Sequence, residues 1–460
     1  MTMQRVFVAN RGEIAVRIIR ACQGMGLKTV IGVSEADRDS LPARMADRAV
    51  CIGPASSGAS YLNIDAVVTA AVGTGCDALH PGYGFLAENA ALADLCEAQG
   101  ITFVGPKAQT IRSLGDKISA RAIAQKAGVP VVPGRDRLAS HDEALVAAEE
   151  IGFPVLLKAA AGGGGRGMQV VREKGALLHA FDTARAEARA AFGNDTLYME
   201  RFIGSARHVE VQVLGDSHGN VIHLGERDCT LQRRHQKIVE EGPATALAAE
   251  VVGRMRHAAV ELARSVRYEG AGTVEFIYDR TLEEFYFLEV NTRIQVEHPV
   301  TELLTGVDLV AQQLRIAAGA PLALTQNEVR LSGHAIECRI NAEAATEGFR
   351  PSPGGIVTWA PPSGPGIRLD THCHAGYVVP PFYDSLLAKL IVTGTDRADA
   401  LARMRAALAG FTIEGIDTTL PFLRALLDMP DVASDAVSTG WVETVLGDAE
   451  FVKQIERARE

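Results

Sequence analysis

The sequence predicts an α/β and α+β chain in three blocks. Residues 1–114 read as a doubly wound α/β domain, 115–330 as a domain built around a mobile glycine loop, and 331–447 as an α+β domain, leaving 448–460 as a charged, helical but frayed tail. Three observations carry this reading. The first is length: 460 residues exceed one core, at the usual ~100–200 residues per domain. The second is an alternation of apolar strand-like runs with amphipathic stretches up to about Leu114, the pattern of a parallel sheet covered by helices. The third is a change of pattern at Gly115 and again near Leu331, where Pro351-Ser352-Pro353-Gly354-Gly355 lies among short strands and one long helix, Arg397 to Leu408.

Taken in order, Val6 to Ala9 is an apolar strand, Asn10-Arg11-Gly12-Glu13 turns, Ile14 to Met25 is amphipathic, and Thr29 to Val33 is a strand again. Open α/β sheets bind ligands beyond their strand ends, so His80-Pro81-Gly82-Tyr83-Gly84-Phe85 is either a tight turn with a packed aromatic or a wall over a ligand. Asp116-Lys117 heads a helix ending near Gly128, and Val129 to Gly134 is a connector. Pro154 to Lys158 is a strand ending in a lysine. It runs into Gly162-Gly163-Gly164-Gly165-Arg166-Gly167-Met168 and then Val170-Val171. Such glycines let backbone N–H groups close on phosphate oxygens and permit a lid to move, here over about 132–204. With no Gly-Lys-Ser/Thr, and a strand rather than a helix following, neither a Walker A loop nor a dinucleotide fingerprint is present. Leu197 to Ile203 reads as a short strand with Glu200 free to accept hydrogen bonds from a base or ribose. His208, Glu210 and Gln212 share a strand face, and Gln232-Arg233-Arg234-His235-Gln236-Lys237 reads as an anion pocket.

The densest polar pattern is Glu289-Val-Asn-Thr-Arg-Ile-Gln-Val-Glu297. On one continuous strand, Glu289, Asn291, Arg293, Gln295 and Glu297 would all point the same way. Thr273 to Tyr278 and Phe285 to Asn291 form a hairpin centred near Leu282, which places Glu275 opposite Glu289. Two carboxylates across a ladder repel unless something cancels them. A divalent cation does so, and Mg²⁺ favours one or two carboxylates together with substrate phosphates.

Composition narrows the field. A net charge of −10 argues against a nucleic-acid surface, and 47% hydrophobic with 22% charged residues is ordinary globular composition. Seven scattered cysteines, none spaced Cys-x-x-Cys, fit a reducing cytoplasm rather than a disulfide framework or zinc site. His372 and His374 are explained as alternate residues of a strand face rather than as metal ligands. No apolar run approaches the ~18 residues of a membrane span, and the N-terminus does not read as a signal peptide.

Lys117, Lys158, the glycine loop, Glu275, Glu289, Asn291 and Arg293 together resemble an ATP-grasp enzyme. Three longer strings, His80 to Asn89, Glu226 to Lys237 and Glu289 to Glu302, are similar to biotin carboxylase, and the likeness runs from residue 4 to about 447. The resemblance implies two steps: ATP phosphorylates bicarbonate to carboxyphosphate, and the carboxyl group passes to N1′ of biotin on a separate carrier.

The resemblance also implies roles. Glu275, Glu289 and Asn291 would hold Mg²⁺ (or Mn²⁺) across the ATP phosphates, and Lys117, Lys158 and the backbone of Gly164, Gly165, Arg166 and Gly167 would bind phosphate. Glu200, the Arg201 backbone, His208, Gln232 and His235 would hold adenine and ribose between Met168 and Ile203. Lys237, Arg293, Gln295 and the Val296 backbone would bind bicarbonate, with Glu297 as its base. Arg339 would stabilise the biotin enolate, with Tyr83 beside the biotin ring. Arg201 stands where relatives often carry lysine, and Asn341 to Arg350 lacks the usual Asp-Pro after Asn-Ala-Glu. No Ala-Met-Lys-Met string is present. The biotin carboxyl carrier and the carboxyltransferase are therefore expected on other chains, and a homodimer is expected by resemblance alone. The reading is the first half-reaction of acetyl-CoA carboxylase, or the same component of another acyl-CoA or pyruvate-type carboxylase.

Overall fold

A computed structural model describes residues 3–160 and 168–459. Gly164, Gly165, Arg166 and Gly167 lie outside the described residues.

The opening alternation forms a five-stranded parallel sheet, in the order Arg48–Gly53, Lys28–Ser34, Arg5–Val8, Ala78–His80, Thr102–Phe103. Helix Gly12–Gly24 covers it with Ile14, Ala15, Ile18, Ile19 and Cys22, the spacing of one buried helical stripe. The strand Ala78–His80 delivers the chain into the Tyr83 loop at its C-terminal end.

The second sheet has eight strands, ordered Glu284–Asn291, Gly270–Asp279, Ala206–Gly215, Val221–Arg233, Gln236–Gly242, His334–Asn341, Leu386–Gly394, Ile367–Thr371. It runs through the expected junction near residue 331, because Gln236–Gly242 pairs antiparallel with His334–Asn341. The central and C-terminal blocks thus share one sheet, and Arg339 is carried on the same rigid surface as Lys237. A third sheet, ordered Gly134–Leu138, Leu197–Arg201, Val155–Ala159, Met168–Val171, packs with helices His141–Ile151 and Leu177–Phe192 over its own small core.

Three local expectations need correction. The C-terminal residues are not a frayed tail: Ala449–Arg457 is a helix whose Phe451 and Ile455, one turn apart, are buried, with Phe451 at 6.2 Å from the Phe422 ring. Burying such side chains stabilises by roughly 1.5–3 kcal/mol each, enough to dock the helix. His372 and His374 share no strand face, since that strand ends at Thr371. His372 packs on Tyr377, and His374 lies 2.7 Å from Arg44. Finally, the strand carrying Glu289 ends at Asn291, and the chain turns through an irregular segment into helix His298–Thr305.

Candidate active site

Gly270–Asp279 pairs with Glu284–Asn291, and Glu275 faces Glu289 as expected; beyond that pair the register shifts by one residue, so that Phe276 lies opposite Phe287 rather than Leu288. The opposite face explains why: Phe276 and Phe285 meet edge-to-face at 5.4 Å and are buried with Phe287, so a one-residue slip would turn these rings to solvent. The polar face is left to the cavity.

Beyond Asn291, convergence replaces alternation. Thr292 N–H and Arg293 Nε both donate to Glu88, at 2.9 and 3.0 Å, which pulls the segment toward the N-terminal block. Arg293 then donates to Asn291 Oδ1 and Gln295 Oε1, each at 3.0 Å. Asn291 and Gln295 in turn donate to one oxygen of Glu275, at 2.8 and 2.9 Å. Glu289, Asn291, Arg293 and Gln295 still reach one cavity, with Glu297 buried behind it, but by a turn of the chain rather than by a strand.

Lys237 is the hub beneath. Its Nζ donates to Glu275 at 3.0 Å, to Glu297 at 2.6 Å, and to Glu210. Arg227, fully buried, holds the other side of Glu210 at 2.6 Å. Arg339 donates to Glu240 at 2.6 Å and to Glu297 Oε2 at 2.9 Å. Burial alone would raise the Glu297 carboxyl, but Lys237, then Arg339 and Arg227, overcome it and hold the group well below the ordinary range. Glu275 is likewise depressed against its burial, chiefly by Lys237 and His208, whose Nε2 lies 2.9 Å away. His208 is raised in return: burial opposes its charge and Glu275 more than offsets that. Glu289 goes the other way. Burial and then Glu275 raise it, and Lys117, 3.8 Å distant, does not compensate.

A cavity of about 740 Å³ opens above these groups. Tyr83, Lys117, Lys158, Met168, Glu200, Arg201, Ile203, His208, Gln232 and His235 line it, with Lys237, Glu275, Glu289, Asn291, Arg293, Gln295, Val296 and Arg339. Glu297 does not; it is fully buried behind Lys237 and Arg339. Two further corrections follow. Glu200 is not free, because Arg121 takes one carboxylate oxygen at 2.8 Å and Lys158 the other at 2.5 Å. The basic cluster does not enter the site whole: the Arg234 backbone binds Glu443 and Arg234 stays off the cavity wall, and Arg233 stacks 3.9 Å over Phe349 at that wall, beside Gln232, His235, Gln236 and Lys237.

Arg121, Glu88, Glu210, Arg227 and Glu240 are supporting residues that the sequence does not place in the site. Glu88 stands within the string His80 to Asn89, and Glu210 on the face with His208. Arg121 gives no local signal, being one cation among several on an amphipathic helix.

Family models match the whole arrangement in chain order. "Biotin carboxylase, N-terminal domain" matches residues 2–111, "Carbamoyl-phosphate synthase L chain, ATP binding domain" 116–325, and "Biotin carboxylase C-terminal domain" 337–444. Biotin carboxylase 1 of Bacillus subtilis is 52% identical over 443 residues, spanning 96% of this chain and 98% of that protein. The crystal structure of a biotin carboxylase–β,γ-ATP complex from Campylobacter jejuni superposes with a TM-score of 0.94 at 46% identity, over 96% of this chain and 99% of that one. The biotin carboxylase domain of Hydrogenobacter thermophilus 2-oxoglutarate carboxylase, a dimer with MgADP, ADP and bicarbonate, gives 0.93 at 46%, over 98% and 100%. The chain belongs to the biotin carboxylase family.

Proposed function

We propose that the protein uses ATP and bicarbonate to carboxylate biotin presented by a separate carrier. One observation carries this reading: a fully buried Glu297 is held between Lys237 and Arg339, beside a cavity edged by Arg293, Gln295 and the Val296 backbone. A planar oxyanion matches the guanidinium fork, and an ionised carboxylate beneath it can take a proton. In the free protein Glu297 is more acidic than an efficient base should be. Bicarbonate supplies the correction: its oxygens compete for Lys237 and Arg339, which releases part of the charge holding Glu297 ionised and raises its affinity for the proton.

The donor set fits a metal site. Glu275 and Glu289 face each other, and Glu289, pushed up by burial and then by Glu275, lacks the positive charge that Lys237 and His208 give its neighbour. These residues, with Asn291, fit Mg²⁺ or Mn²⁺. When bound, the ion would offset charge on ATP phosphate oxygens during transfer. Lys117 and Lys158 then bind phosphate. Met168 and Ile203 wall the adenine, and Glu200, His208, Gln232 and His235 offer polar edges. Arg339 stabilises the biotin enolate, and Tyr83 lies beside the ring. The small third sheet, residues 132–204, acts as a lid.

A biotin carboxyl carrier and a carboxyltransferase complete the cycle, and the chain works as a homodimer. Acetyl-CoA is the proposed final acceptor, although a 2-oxoglutarate carboxylase domain among the similar structures shows that other acceptors are served by the same fold. No described helix is long and apolar enough to cross a membrane. The test is ATP cleavage with bicarbonate and free biotin. Cleavage that needs bicarbonate and is stimulated by biotin supports the reading; nucleotide binding with neither dependence sinks it.

A further inference from the structure

Lys389 is the most deeply buried lysine of the molecule's described residues, fully enclosed on strand Leu386–Gly394, directly across from Arg339 on one side and Asp370 on the other. A buried ammonium must use its three donors. It lies 3.2 Å from Glu13 Oε2 and 3.9 Å from Asp370 Oδ2, and it donates to the backbone carbonyl of Val296 at 2.8 Å. Arg368 neutralises Asp370 at 2.7 Å, which leaves Glu13 as the counter-charge of Lys389. The other oxygen of Glu13 accepts the Tyr83 hydroxyl. Glu13 comes from the first helix, Tyr83 from the loop after Ala78–His80, Lys389 from the C-terminal block and Val296 from the central one.

We propose that Glu13 and Lys389 form a buried positioning relay joining Tyr83 to the peptide between Val296 and Glu297. The carbonyl that Lys389 grips belongs to the peptide whose N–H is Glu297's, so its tilt sets where the Glu297 side chain starts. Tyr83 stands on the cavity wall at one end of the relay, and the Val296–Glu297 peptide at the other. A ligand that moves Tyr83 changes what Glu13 offers Lys389, and Lys389 passes the change to that peptide. Tyr83 and Glu13 are joined by a hydrogen bond, Glu13 and Lys389 by an ion pair at 3.2 Å, and Lys389 and Val296 by a hydrogen bond, so a change at one end is felt at the other. The inference rests on the proposed function, with biotin at the Tyr83 end and bicarbonate at the Val296 end. Coupling between them is reciprocal: biotin improves bicarbonate binding as much as bicarbonate improves biotin binding.

The test is steady-state kinetics of bicarbonate-dependent ATP cleavage in Tyr83→Phe, Glu13→Gln and the double variant. Tyr83→Phe, which touches only the biotin end, should raise the KM for bicarbonate about fivefold while the KM for ATP stays within about twofold. Glu13→Gln should do the same, and the double variant should be no worse than the stronger single, because both cut one chain. An unchanged bicarbonate KM in Tyr83→Phe overturns the relay, as do effects that multiply in the double variant. If Glu13→Gln does not fold, Tyr83→Phe decides alone. A wild-type chain whose ATP cleavage ignores bicarbonate overturns the proposed function and the relay together; bicarbonate dependence with unmoved variants overturns the relay only.

Discussion

Two acids at opposite ends of the stretch Glu289 to Glu297 show contrary electrostatics within one site. Glu289, pushed above its ordinary range by burial and by the carboxylate it faces across the hairpin, has only Lys117 to oppose this, at 3.8 Å, and that offsets just part of it. Glu297 is more deeply buried, yet Lys237, Arg339 and Arg227 hold it below its ordinary range. Burial by itself raises both. The difference is the number of cations in reach, and it suits the two acids to the two tasks proposed for them: Glu289, short of positive charge, to receive a metal ion, and Glu297, surrounded by cations, to keep its base form beside an anionic substrate.

The strongest way to break this contrast is Glu297→Gln. It should keep nucleotide binding and lower bicarbonate-dependent ATP cleavage by about 10²–10⁴-fold, the usual worth of a positioned base; full activity would end the assignment. Next is Lys237→Met, which strips the shared cation from Glu210, Glu275 and Glu297. Removing one partner from a buried charge cluster costs about 3–5 kcal/mol, measurable by denaturant unfolding, and an unchanged midpoint would mean the acids are balanced otherwise. At the other end, Glu289→Gln should slightly raise metal-free stability at neutral pH while raising the Mg²⁺ requirement about tenfold, read from ATP cleavage against Mg²⁺ concentration.

The smallest effect is the sign of the pH dependence. Glu289 titrates higher when folded, so its contribution is full at low pH and is lost as pH rises from the ordinary 4.5 through its raised value. Glu297 titrates lower when folded, so its contribution is full above 4.5 and is lost as pH falls through its depressed value. Melting temperatures should therefore show Glu289→Gln, or Mg²⁺ added to the wild type, reducing the loss on the alkaline side. Glu297→Gln should reduce the loss on the acid side. The same sign in both variants would collapse the distinction.

Much of the fold and of the site is legible in the residues themselves. The Glu275–Glu289 pairing follows from two strand-like runs around a turn, and the parallel N-terminal sheet from its strand–helix alternation; the bulge that turns Phe285 and Phe287 away from Glu289 is not legible in a period of two. A continuous strand through Glu297 does not form, because a period of two also describes a polar segment that turns around a central arginine. What stops the strand is Glu88, 205 positions from Arg293, which takes the Arg293 guanidinium and the Thr292 N–H. Glu200 looks free in the sequence because Arg121 and Lys158, 79 and 42 positions away, leave no mark near it. The C-terminal helix looks frayed there because its two buried residues are few; the surface that receives them, around Phe422, lies elsewhere in the chain.

The sequence by itself determined which chemical groups the site would contain, where the acidic and basic motifs fall, and which strand face would carry Glu275 and Glu289. Those properties are local, written in composition and in periods of two and 3.6. The tertiary structure decided which cation meets which acid: Lys237 on Glu297 rather than on Glu289, Arg121 on Glu200, Lys389 between Glu13 and Val296. Long charged side chains find partners by proximity in the fold, and burial amplifies whatever balance results, so two glutamates alike in sequence come to suit the separate roles proposed for them, metal ligand and base.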